Sequence, residues 1–86
     1  MATVHILHQG KEVAARTMKG LPRDIGDLGK WWNCARRTFK GHTKYGGLLL
    51  VYQKVVYHED SNTIRYALVG GEYQVIIDRN NQLLTA

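Results

Sequence analysis

Residues 28–40 limit the fold most, because only one secondary structure sorts them into two chemically distinct sides. On a helix, Trp32, Ala35 and Phe39 all fall within about 40° of Leu28 and make one narrow apolar stripe. Arg36, Lys40, Asn33, Arg37 and Lys30 spread over about 80° to 200° and share the opposite side. Trp31, Cys34 and Thr38 lie on the remaining flank. A helix this amphipathic needs an apolar surface to lie on. The start signals agree with it: Pro22 disfavours helical geometry at Leu21, and Asp24 or Asp27 can cap the first turn. Gly26 and Gly29 weaken that turn, so the helix is expected to be firm from about Leu28 to Lys40 and to stop near Gly41.

The rest of the chain reads as β. Val4 and Ile6 alternate with His5 and Leu7, Gly10-Lys11 is a turn signal of the type II′ kind, and Val13 and Ala15 alternate on a return strand. A helix over Lys11–Lys19 is the competitor, since Glu12 to Arg16 has good helix propensity. From Gly47 onward strands are expected: Gly47–Tyr57, then a polar turn at 58–62, then Thr63–Val69. Gly70-Gly71 is a hairpin signal, followed by a strand through Tyr73, Val75 and Ile77. Asn80-Asn81 suits a tight turn, and Gln82–Thr85 a short edge strand. The predicted class is α+β, a single domain over residues 1–86: an N-terminal hairpin, one amphipathic helix packed on one sheet face, then an antiparallel meander of three to four strands. Leu48–Val51 is apolar on both faces, so a strand there would be covered twice or sit at an interface.

Charge is concentrated where the helix is. Five of the twelve Lys and Arg residues fall between Lys30 and Lys44 with no acid among them, and the other seven are balanced by the seven Asp and Glu, leaving the net charge of +5 to this segment. A focused positive patch attracts phosphates or an acidic protein surface. Lys30, Trp31, Asn33, Arg36, Arg37, Lys40 and Lys44 are the candidate binding residues. Arg36 and Arg37 can grip a phosphate or carboxylate through two N–H bonds each. Trp31, between the basic side and the buried stripe, either stacks on a base or packs as core.

Other constellations are weaker. His5 and His8, three apart on a strand, point to opposite faces, so no shared metal is expected. No cofactor is expected either, since Gly46-Gly47 and Gly70-Gly71 fit no phosphate-loop pattern. His42 could act as a general base among cations but also reads as a loop histidine. His58-Glu59-Asp60 reads as a polar turn, and Cys34 as a structural thiol rather than a nucleophile. The single cysteine, and a Met1–His5 stretch with neither a charged nor an apolar leader region, suggest a reducing, cytoplasmic setting. The longest apolar run is far short of the roughly 20 residues that cross a bilayer, so no membrane association is expected.

These features favour a small non-enzymatic binding protein, an inhibitor or accessory factor of the kind phages and mobile elements encode. Its basic helix would engage nucleic acid, or the acidic surface of a protein that handles nucleic acid. Two alternatives stand beside it. The layout is similar to that of small RelE-like and EndoU-like ribonuclease toxins, a likeness of architecture carried by no motif. It implies His42, Arg36, Arg37 and Lys44 as catalytic candidates. The other alternative is a homo-oligomer, a homodimer for instance, joined through a strand edge.

Overall fold

The computed structural model describes residues 2–18, 20–24, 26–42 and 44–79. Among these residues five strands form one antiparallel sheet: β1 (Thr3–His8), β2 (Lys11–Thr17), β3 (Gln53–Glu59), β4 (Thr63–Val69) and β5 (Tyr73–Asp78). Two helices, α1 (Leu28–Thr38) and α2 (Tyr45–Val51), lie in the chain between β2 and β3. The class is α+β, but the order across the sheet is β2-β1-β5-β4-β3. The hairpin is therefore not a unit beside a meander. β1 pairs with β5, which lies in the middle between β1 and β4.

The order follows from composition. Val4 and Ile6 of β1, Ile64, Tyr66 and Leu68 of β4, and Val75 and Ile77 of β5 are buried in one cluster, so these strands take the interior positions. β2 and β3, the more polar strands, take the edges, where unpaired backbone meets water. The first turn also differs from expectation. Gln9 and Gly10 both have positive φ, at 53° and 80°, so the corner is a two-residue turn of the type I′ kind rather than a II′ turn beginning at Gly10. Gln9 is held in this unusual geometry from both ends, its backbone N–H donating to the Glu72 carbonyl at 3.0 Å and its side chain donating to the Glu72 carboxylate. Lys11–Thr17 is strand and not helix. The turn expected at Asn80-Asn81 and the strand at Gln82–Thr85 lie outside the described residues.

α1 starts where Asp27 accepts the Lys30 N–H at 3.1 Å. Its helical hydrogen bonding ends at Thr38, and Gly41 follows with a φ of 86°. The buried side of α1 is wider than the stripe: Trp31, Cys34 and Thr38 are buried along with Trp32, Ala35 and Phe39. Trp32 meets Tyr66 with ring centroids 4.7 Å apart. Arg79 lies 5.0 Å over Trp31, which explains why the flank is covered. Arg16 of β2 reaches the far end, donating to the Thr38 carbonyl at 3.4 Å and lying 5.6 Å from the Phe39 ring centroid. A cation there complements the helix dipole. Burial pushes the Tyr66 phenol up to about 12, an effect the Glu59 carboxylate adds to and Arg79 opposes.

The second helix corrects the first part of the expected strand over Gly47–Tyr57, while its second part is strand, within β3. A short all-apolar run does not distinguish strand from helix by periodicity, and Leu is a strong helix former. Tyr45 and Leu49, four apart, are the buried pair, while Leu50 and Val51 are left exposed. Among the described residues no helix is long and apolar enough to cross a membrane. A Cβ added to Gly46 would sit 2.6 Å from the Phe39 carbonyl oxygen, whereas one added to Gly47 meets nothing within 4 Å. The glycine at 46 is what lets α2 approach the end of α1. Chemical denaturation is therefore expected to show Gly46→Ala destabilised by about 1–3 kcal/mol. Gly47→Ala should be neutral or stabilised by up to about 1 kcal/mol through helix propensity. Equal effects at the two glycines would contradict this packing.

Candidate functional site: a cationic groove between the helices

The exposed side of α1 does not stand free. α2 runs beside it, and the space between them holds a cavity of about 520 Å³ lined by Asn33, Arg36, Arg37, Lys40, Gly41, His42, Gly46, Gly47 and Leu50. A second cavity, about 540 Å³, is lined by Gly29, Trp32, Asn33, Arg36, Leu49, Leu50, Tyr52, Gln53 and Lys54. Asn33, Arg36 and Leu50 line both, so the two are neighbouring stretches of one groove. It follows α1 for roughly 15 Å. Arg36, Arg37, Lys40 and Lys54 supply its charge, and no Asp or Glu is among the lining residues.

The residues expected from sequence divide three ways. Asn33, Arg36, Arg37 and Lys40 come together in the groove. Lys30 is exposed but sits 3.8 Å from the Asp27 carboxylate, and Lys44 lies 5.4 Å over the Tyr45 ring; neither lines the groove. Trp31 is a correction. It is 4% exposed beneath Arg79, so it is core and offers no surface for stacking. Lys54 and Leu50 were missed. Lys54 is brought in from β3 and rests 5.0 Å over Trp32, a neighbour that only the sheet topology supplies. Leu50 was expected in a strand.

His42 is fixed by its surroundings. Its backbone N–H donates to Phe39 O at 2.9 Å, its carbonyl accepts from Gly46 N–H at 3.0 Å, and its Nδ1 accepts from Tyr45 N–H at 3.2 Å. The last bond satisfies a first-turn N–H of α2 that has no intrahelical partner. It also assigns the tautomer: an Nδ1 that accepts carries no proton, so the neutral ring holds its proton on Nε2. His42 lines the groove, and its Nε2 is a hydrogen-bond donor, as are the Asn33 amide and the cations. Arg37 is steadied from below, donating to the buried Cys34 Sγ at 2.9 Å, while Thr38 Oγ1 donates to the Cys34 carbonyl at 2.8 Å.

The remaining candidate clusters are structural. Asp60 accepts from His58 at 2.8 Å and from the backbone N–H groups of Asn62 and Thr63 at 2.8 and 2.7 Å. The His58 hydrogen bond, then those two N–H bonds, hold its carboxyl below the usual range. This is a turn built around a carboxylate. His5 pairs with Glu12 across the β1–β2 hairpin, while His8 stacks on Tyr73 with centroids 4.4 Å apart, so the two histidines have separate partners. Among the described residues no group of three or more His, Cys, Asp or Glu could hold a metal ion.

The His42 assignment has a direct readout. Long-range proton–nitrogen correlation spectra at neutral pH are expected to show the Nε2–H tautomer at His42. A dominant Nδ1–H tautomer would contradict the Tyr45 contact.

Compared with protein-family models, with curated proteins and with solved structures, the chain gives no match. The groove itself is the basis for assigning a function.

Proposed function

We propose that the chain is a non-enzymatic binding protein, an accessory or inhibitory factor, that seats the phosphate backbone of an extended nucleic-acid strand in the groove between α1 and α2. The observation that carries this reading is a concave site lined by four cations and no carboxylate. In this reading α1 lies on the core side of the sheet through its aromatic residues and turns its basic side outward into the groove. Arg36 and Arg37 offer planar guanidinium forks, Lys40 and Lys54 point charges, and Asn33 and His42 neutral N–H donors. Each of these groups donates a hydrogen bond, and a phosphodiester accepts them.

Shape favours a strand over the alternatives. A helix that reads duplex DNA projects into a major groove about 12 Å wide. Here the basic side of α1 is instead one wall of a recess, with Leu50 of α2 opposite. A convex acidic protein surface would meet the rim of such a recess, whereas a flexible polyanion can follow its length. The lining also supports binding over ribonuclease chemistry. Strand cleavage needs a base to take the 2′-hydroxyl proton. Nδ1 of His42 is engaged by the chain, Nε2 carries a proton, and among the described residues no carboxylate lines the groove.

Fluorescence anisotropy with labelled single-stranded RNA and DNA tests this. Affinity should fall steeply with salt, with a log–log slope of about −2 to −3 for three or four phosphates neutralised along a single strand. Arg36→Glu with Lys40→Glu should weaken binding by at least roughly tenfold at low salt and flatten that slope. Absence of binding at low salt sinks the nucleic-acid reading. A polyglutamate chain that competes as well as the nucleic acid assigns the groove to an acidic polypeptide. Labelled RNA that shortens during incubation revives the ribonuclease alternative.

A further inference from the structure

An exposed apolar surface begins at Leu50, on the wall of the cationic groove, and continues along β3. Leu50, Val51, Val55, Val56, Tyr57 and Val69 are all exposed, Val51 at 79% and Val55 at 52%. Leu50 and Val51 end the helix that leads into β3, and Val69 pairs with Gln53 at its start. Every residue of β3 is exposed, and its outer side is unpaired among the described residues. Such an edge, apolar and with free backbone N–H and C=O groups, invites another strand.

We infer that the occupant is β3 of a second copy, joined antiparallel about a two-fold axis between Val56 and Tyr57. Charge and register both select it. In this alignment Lys54 faces Glu59 of the second copy, Val55 faces His58, and Val56 faces Tyr57. Residues opposed across an antiparallel ladder must point to the same side of the sheet. Lys54 and Glu59 both do, since they pair within the chain with the buried core residues Leu68 and Ile64. Val55 and His58 share the other side, being paired with Ala67 and Arg65. Slipping the alignment by one residue either way sets core-side residues against open-side ones, which a half-buried sheet disfavours.

The bulge in β3 explains why the partner is this chain rather than a foreign strand. Val56 pairs with Tyr66 and His58 with Arg65, so Tyr57 is an extra residue in β3. An ordinary straight strand laid along β3 loses its alternation at that point. A second β3 carries the same extra residue at the same place, and about the two-fold axis the two bulges face each other. The ladder then runs without a gap from Lys54 to Glu59. A bulge normally protects an edge from pairing; here it narrows the choice of partner to an identical edge. The interface is isologous, each copy giving and receiving the same contacts. Glu59 lies 3.5 Å from Arg79 and keeps a second carboxylate oxygen for Lys54 of the other copy.

Sedimentation equilibrium of the full chain over a broad concentration series tests the inference without reference to any ligand. The expected result is a reversible dimer with twice the mass of the single chain. Val55→Lys and Lys54→Glu should each raise the dimer dissociation constant by at least roughly tenfold, and Lys54→Arg should leave it nearly unchanged. Circular dichroism and tryptophan fluorescence confirm that each variant is folded; Trp32 beneath Lys54 reports on that edge. A wild-type chain that stays monomeric throughout overturns the inference. So does a dimer indifferent to Lys54→Glu, which places the contact elsewhere or in another register.

Discussion

The burial of aromatic side chains from a single helix governs this structure. Trp31 and Trp32 of α1 and Phe39, its C-cap residue, are all buried, Trp32 against Tyr66 of β4. An eleven-residue helix with that much apolar surface on one side has little freedom of rotation. Fixing it turns Asn33, Arg36, Arg37 and Lys40 away from the core. The cationic surface therefore follows from where the hydrophobic energy lies, at roughly 1.5–3 kcal/mol for each large apolar side chain buried. The helix also has to end cleanly, and Arg16, Gly41 and the turn around His42 serve that end together.

Much of this was legible in the sequence. The helical projection separates the core residues Trp32, Ala35 and Phe39 from the basic residues, and Asp27 is one of the two caps it offers. Alternation identifies β1, β4 and β5 and their inward residues. Trp31 shows the limit of a projection, because it places a residue on a flank and cannot say whether another element covers that flank. The cover is Arg79, distant in sequence. The same holds for Lys54, whose place beside Trp32 depends on β3 being an edge strand. Strand order was not legible because β1 and β5, which pair at the centre of the sheet, are separated by most of the chain.

Leu48–Val51 is the segment whose structure is least legible in the sequence. Apolar character on both faces of a strand signalled a segment out of place, and the structure resolves this by making it helix. The oddity survives in altered form. Leu50 and Val51 remain exposed and join the apolar residues of β3. The groove and this edge adjoin at Gln53 and Lys54, which line the former and begin the latter. A two-fold pairing through β3 would therefore bring two cationic grooves together on one molecule.

In the proposed function the groove, and not charge alone, makes the site. Gly47 offers the most direct test, because it lines the groove and a Cβ added there meets no neighbour within 4 Å. Binding of a labelled single strand by Gly47→Leu, measured against the wild type at the same salt, separates shape from charge. The net charge is unchanged and the backbone leaves room for a Cβ at this position, so with circular dichroism showing the variant folded, the affinity is predicted to be at least roughly tenfold weaker. An unchanged affinity would contradict it, leaving a positively charged surface with no groove-bound strand.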